Sequence, residues 1–198
     1  MVSVGAIILA AGASTRMGTP KQLLQFQGHS FLERTVDAAL ASVCQPVVVV
    51  LGAYAEKIRP CIDHLPVMVV HNPHWNEGMG ASIRVGVTAI NATCEEIEAV
   101  VLALCDQPFV SFDLINQLVD AYYTTRKDII ACEYARTLGV PALFSRKFFP
   151  DLINLNAVAG AKQVIKQHGH EVFPLLFPAG KVDIDTPEDY EQLQETHL

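Results

Sequence analysis

Arg16 and Lys21 stand close together in LAAGASTRMGTPKQLL, Leu9 to Leu24, on backbone made pliable by small residues. Ala10, Ala11, Gly12, Ala13 and Ser14 offer N–H groups that an anion can approach without side-chain obstruction. Arg16 adds a planar fork of donors and Lys21 a mobile point charge, a set suited to gripping a triphosphate. Neither common phosphate loop fits. Thr19 and Pro20 follow Gly18 where G-x-x-x-x-G-K-[ST] needs Lys and Ser or Thr, and G-x-G-x-x-G is absent. The apolar run Val4 to Ala11 does not read as an export signal, because no Lys or Arg precedes Ile7.

Two further segments carry carboxylates. LALCDQP places Asp106 just past an apolar run, where it could hold Mg²⁺, an ion that favours one or two carboxylates plus phosphate oxygens and waters. Taken by itself, such an Asp is more often a turn or helix-cap residue. In VDIDTPEDY, Val182 to Tyr190, Asp183 and Asp185 alternate along an extended stretch and so share one face. Helix capping accounts for Thr186, Glu188 and Asp189 there. A third segment, NPHWNEGMGASIRVGV, Asn72 to Val87, has Gly78, Gly80, Ala81 and Ser82 where backbone could approach a flat ring. His71 and His74 lie on this loop without further His or Cys nearby, which argues against zinc. Trp75 is either a loop anchor or a wall of the site.

The opening segment resembles the L-A-[AG]-G-x-S-x-R-M-G-x-x-K loop of the MobA-like nucleotidyltransferases, nearest to the molybdenum cofactor cytidylyltransferases. The resemblance implies that Leu9, Ala10, Ala11, Gly12, Ala13, Ser14, Arg16 and Lys21 wrap a nucleoside triphosphate. It makes Asp106, in a [GAC]-D-x-P turn, the metal aspartate, with Asp185 of a [DN]-x-[DN]-T-P-E-[DE] segment as second ligand in preference to Asp183. It also implies that Gly78, Gly80 and Ser82 contact the nucleotide. Ala11, where guanylyl-transferring relatives usually have Gly, points to CTP.

The acceptor side departs from the family pattern. TLGVPALF has Val140 where R-G-H-P-[VA]-L-F has His, and AVAGAK has Val158 and Lys162 in place of the Asp and Arg of G-D-x-G-A-R. Lys keeps the charge but loses the bidentate fork. The activity implied is Mg²⁺-dependent transfer of CMP from CTP to molybdopterin with release of pyrophosphate, catalysed by Lys21, Arg16 and Asp106. A molybdoenzyme would receive the product. The alternatives are a nucleotidyltransferase acting on a sugar or polyol phosphate, and a cofactor-binding chaperone without turnover.

The elements that must position these residues are legible in the apolar pattern. Val4–Leu9, Val47–Leu51, Val67–Val70, Ala99–Leu104, Asp128–Cys132 and Val140–Phe144 read as strands, and continuous apolar runs suit a parallel sheet covered on both faces. Ser30 and Glu33 form a capping box opening a helix over Phe31–Ser42. Further helices are expected over Ser82–Ile90, Phe112–Tyr123 and Ala159–His168, the last stopped by Gly169, with another starting at Pro187. Alternation of strand and helix predicts a three-layer α/β/α Rossmann-like fold with a mostly parallel central sheet, whose ligands collect at the carboxyl ends of the strands.

At 198 residues and 51% hydrophobic content, the chain is expected to form one MobA-like NTP transferase domain, 1–198. A net charge of −7 without basic blocks argues against a nucleic-acid partner. No apolar run approaches the roughly 20 residues of a membrane helix. Cys44, Cys61, Cys94, Cys105 and Cys132 are scattered and odd in number, the pattern of free thiols in a cytoplasmic protein.

Overall fold

The computed structural model describes residues 3–93 and 96–196. In chain order the elements are β1 (Ser3–Ala10), the short hairpin β2 (Gln25–Phe26) and β3 (His29–Ser30), α1 (Phe31–Leu40), β4 (Val47–Leu51) and α2 (Ala55–Ile58). They continue with β5 (Met68–His71), α3 (Met79–Thr93), β6 (Ile97–Leu104), α4 (Phe112–Thr125), β7 (Ile129–Tyr134) and β8 (Thr137–Ser145). The last are α5 (Phe149–Ile153), α6 (Lys162–Gln167), β9 (Val172–Leu176) and α7 (Pro187–Thr196).

Seven strands form one sheet in the order β5-β4-β1-β6-β8-β7-β9. β5, β4, β1 and β6 are mutually parallel, and β7 pairs parallel to β9. β8 alone runs against its neighbours β6 and β7. The expected three-layer, mostly parallel architecture is therefore present.

The continuous apolar runs follow from burial on both faces. Along β1, Ala6, Ile8 and Ala10 enter the core beneath α1 and α4, where Leu32, Val36, Leu114 and Leu118 meet them. Ile7, Leu9 and Ala11 enter the opposite core, shared with Ile83 and Val87 of α3, Leu152 of α5 and Val164 of α6. β4 splits the same way, Val47, Val49 and Leu51 against Val48 and Val50. Two-sided burial removes the polar alternation of a half-exposed strand. α3 sits close to the sheet because Gly86 has no side chain; a Cβ there would approach Ile7 Cγ2 to 2.6 Å.

A third, small cluster of Met17, Phe26, Phe31, Ile184 and Leu193 ties α7 to the hairpin and to the loop after β1. Tyr190 Oη and Gln194 Nε2 both donate to the Gln25 carbonyl at 2.8 Å, and the Tyr190 ring meets Phe31 edge-on. This packing fixes the segment that precedes α7.

Several expected boundaries shift. The helix expected over Ala159–His168 covers only Lys162–Gln167, and Gly169 opens a 3-10 turn instead of terminating the helix in a left-handed conformation. The hairpin, α2, α5 and β9 have too few residues to show a period, and the sequence pattern did not mark them. Cys44, Cys105 and Cys132 are buried free thiols and Cys61 is partly buried; Cys94 lies outside the described residues. No helix of the described residues is long and apolar enough to cross a membrane.

The capping box is formed in full: Glu33 N–H donates to Ser30 Oγ at 3.2 Å, and Ser30 N–H to Glu33 Oε2 at 2.7 Å. Replacing a Ser cap typically costs about 1 kcal/mol. Ser30→Ala is expected to lower the unfolding free energy by that amount, seen in urea titration as a lower midpoint with an unchanged denaturant slope.

Candidate functional site

Leu9 and Leu104 are register partners at the carboxyl ends of β1 and β6. The loop after β1 and the turn after β6 therefore leave the sheet side by side. That adjacency brings Lys21 and Asp106, 85 residues apart, to 2.5 Å between Nζ and Oδ2. The 182–186 segment arrives from the third side, where Ile184 N–H donates to the Asp106 carbonyl at 3.1 Å and its side chain enters the small cluster. With Ile184 turned inward, its flanking carboxylates turn toward the site. Asp185 Oδ1 lies 3.0 Å from Lys21 Nζ, and Asp185 Oδ2 lies 2.7 Å from Arg16 Nη2.

Each charged group has a different environment. The side chains of Lys21 and Asp106 are only 14% and 16% exposed, so water screens their pairing weakly. Burial alone would pull the Lys21 ammonium down, but the Asp106 and Asp185 carboxylates more than offset this and hold it above the ordinary lysine range. Asp185 is opposed by burial too, yet hydrogen bonding and charge from Lys21, with Arg16, hold its carboxyl below the usual range. Asp183 is pushed up, first by burial and then by the charges of Asp106 and Asp185. Burial and the neighbouring Asp106 push the Cys105 thiol up to about 12, so it is inert packing and no nucleophile.

Residues without charge shape the loop. Gln22 is fully buried and donates both amide hydrogens, to the Ala10 and Gly12 carbonyls, at 2.9 Å each. Its Oε1 accepts from Ser14 Oγ at 3.4 Å, and Ser14 Oγ accepts the Lys21 N–H at 3.1 Å. Ser14 adopts a left-handed φ of 52°, held by these bonds. Gln107 ties the turn after β6 to the carbonyls of Val140 and Gly180 at 3.2 and 3.4 Å. Asn72, wholly buried, donates to Ser82 Oγ at 3.0 Å and accepts the His74 N–H at 2.9 Å. Asp189 accepts the N–H groups of Asp185 and Thr186 at 3.0 and 2.8 Å, holding the turn that presents Asp185. Sequence reasoning missed Gln22, Gln107, Asn72 and Ile184 as positioning residues. A Gln inside the otherwise apolar stretch after Lys21 was the one local signal for the first.

Two cavities meet at this cluster. The first, about 310 Å³, is lined by Leu9 to Ala13, Lys21, Trp75, Gly78, Ser82 and Asp106. The second, about 430 Å³, is lined by Arg16, Tyr134, Val140, Val158, Lys162, Asp183 and Asp185. Lys21, Met79, Leu104 and Asp106 line both. Trp75 is thus a wall of the first cavity.

Three of the expected nucleotide contacts, Ser14, Arg16 and Gly80, are absent from its lining, and Arg16 lines the second cavity instead. Gly80 is buried, and its N–H donates to the Ala157 carbonyl at 2.8 Å. A Cβ on Gly80 would run into the carbonyl oxygens of Asn156, Ala159 and Ala157, so the glycine serves close backbone packing. Ser14 is likewise occupied in bracing the loop. Gly78 does line the cavity, at a φ of 127° that favours glycine.

Among the described residues, no group of three or more His, Cys, Asp and Glu side chains is gathered for a metal. Asp106 and Asp185 supply two carboxylates, a set suited to Mg²⁺ when phosphate oxygens complete the shell. Asp106 Oδ1 is buried without a hydrogen-bond partner, an acceptor that a cation would satisfy.

Residues 6–172 match the family model of the MobA-like NTP transferase domain, and the chain belongs to that family of nucleotidyltransferases. It is 24% identical to the molybdenum cofactor cytidylyltransferase of Escherichia coli K12, across 100% of this chain and 98% of that one. It is 34% identical to nicotine blue oxidoreductase of Paenarthrobacter nicotinovorans over 59% of its length, a match spanning only 55% of that relative. The solved structure of Rv0371c from Mycobacterium tuberculosis H37Rv in complex with manganese is similar at a TM-score of 0.78 and 29% identity, covering 98% of this chain and 99% of that one. The chain is an enzyme of the nucleotidyltransferase class.

The depressed Asp185 carboxyl has a consequence for stability. A carboxyl with a lowered folded-state pKa stabilises the fold above its unfolded value, near 3.9, and loses that contribution as pH falls through the folded value. Asp185→Asn is expected to be less stable than the parent at pH 6, with the gap closing as the pH drops below about 4. Urea unfolding across that range measures it.

Proposed function

We propose that this chain moves CMP from CTP to the terminal phosphate of molybdopterin, releasing pyrophosphate, as one domain with the cytoplasm as its setting. The observation that carries the reading is the shared wall: Lys21 and Asp106 line both cavities, so a group held in each would meet at these two residues. On this reading CTP occupies the first cavity with its departing phosphates reaching toward Arg16 where the two cavities meet, and the acceptor occupies the second.

An acceptor phosphate oxygen attacks the α-phosphorus, and the bond from that phosphorus to the oxygen bridging to the β-phosphate breaks. The electron pair leaves with pyrophosphate. Phosphate oxygens are already anionic near neutral pH, so no strong general base is required. The work of the protein is positioning and charge neutralisation. Lys21 steadies charge on the α-phosphate and Arg16 holds the departing phosphates, while the amides of Ala10 to Ala13 cradle the chain. Asp106 and Asp185 would hold Mg²⁺, which would neutralise phosphate charge; the manganese complex of the similar Rv0371c structure supports the use of a divalent ion. Ser82, fixed by Asn72, presents its hydroxyl to the nucleotide. The 24% identical cytidylyltransferase supports the choice of CTP and acceptor.

The second cavity offers the acceptor apolar surface, with Val158 81% exposed and Met79 42% exposed, beside the charged side chains of Lys162 and Asp183. This suits a ring system with polar edges. The test is pyrophosphate release with each of the four triphosphates, with and without molybdopterin. Release with CTP and molybdopterin is expected, favoured over GTP by roughly 10–200-fold, the span that one pocket methyl such as Ala11 provides. A preference for GTP or ATP overturns the base assignment, and release unaffected by molybdopterin overturns the acceptor.

Asp106→Ala is expected to lose at least ~100-fold in turnover, comparable to removal of a principal electrostatic group. Its near-ultraviolet circular dichroism should match the parent, since Asp106 lies at a strand end outside the apolar core.

A further inference from the structure

We infer that Lys21 has a second role: without nucleotide its ammonium occupies the place between Asp106 and Asp185 that a divalent cation needs, so metal binds well only after a triphosphate draws Lys21 away. This rests on the proposed assignment of metal to those two carboxylates. Nζ touches one oxygen of each, at 2.5 Å from Asp106 and 3.0 Å from Asp185. A metal ligated by those oxygens would share that space with a positive charge. The second Asp185 oxygen is engaged by Arg16, so Asp185 enters the resting cluster with both oxygens paired. Asp106 Oδ1 alone is unpartnered, and it is buried.

The two cations proposed for the triphosphate are the same two that pair with the proposed metal ligands. A triphosphate that takes up Arg16 and Lys21 therefore frees the carboxylates in one event. Linkage then requires metal and nucleotide to raise each other's affinity by the same factor. The closed cluster also keeps two carboxylates from facing each other uncompensated.

The test is Mn²⁺ binding without nucleotide, read from the paramagnetic resonance of free Mn²⁺, in the full chain, Lys21→Met and Arg16→Met. Removing the blocking charge is expected to tighten Mn²⁺ binding at least ~10-fold in Lys21→Met, because the released charge lies within contact distance of the ion's position. Arg16→Met, which unpairs one Asp185 oxygen but leaves Lys21 in place, should change it less than about 3-fold, in keeping with an exposed pair. Thermal melts establish that each variant is folded. Unchanged binding in Lys21→Met, with Asp106→Asn still weakening it, overturns the inference and leaves the metal assignment standing. An equal rise in both cation variants also overturns it, since net charge and not position would then control the affinity. Mn²⁺ binding indifferent to Asp106→Asn in every background overturns the metal assignment and the inference together.

Discussion

The contact between Lys21 and Asp106 joins the two ends of the molecule's chemistry, and most of the architecture around it exists to make that contact possible. An ammonium and a carboxylate this sheltered would each be costly alone; together, with Asp185, they are compensated. Their meeting depends on β1 and β6 being register neighbours in a parallel sheet, because only then do both following loops emerge at one edge. Reversing either strand would send its loop to the opposite edge.

Fine positioning comes from neutral groups. Gln22 folds the loop after β1 onto itself by bonding two of its carbonyls, and Gln107 pins the turn after β6 to the segments around Val140 and Gly180. Ile184 does the same by burial, turning Asp183 and Asp185 outward on either side of an anchored side chain. The Lys21 ammonium is thus placed by a backbone and by opposing carboxylates that are each held by hydrogen bonds.

The second cavity gathers the positions at which this chain departs from the family pattern. Its walls come from β8, the strand running against the sheet, from the loop before α6 and from the segment before α7. The family departures noted in the sequence, Val140, Val158 and Lys162, all line it, whereas the resembling loop Leu9 to Ala13 lines the first. The three departures thus share one side of Lys21, beside Arg16, Asp106 and Asp185, which keep the family pattern. The partial match to an oxidoreductase fits the rule of one fold hosting several chemistries.

The sequence by itself determined the strands buried on both faces, the capped helices and the loop chemistry, since each rests on local features: hydrophobic period, cap residues, and small residues beside Arg16 and Lys21. It also contained Asp106 and Asp185 as candidates. What it left open is what depends on contacts distant along the chain. Gly78 and Gly80 read alike in sequence and both pack against the backbone of residues 156–159, yet Gly78 also lines the cavity and Gly80 does not. Ser14 reads as an anion ligand but braces the loop through Gln22. Asp185 over Asp183 as the partner of Lys21 was decided by the docking of Ile184, and short elements such as α5 and β9 were decided by the surfaces they cover. Local energetics select among a few backbone states for each segment. Only tertiary packing decides which side chains, tens of residues apart, share one small volume with too little water to screen them.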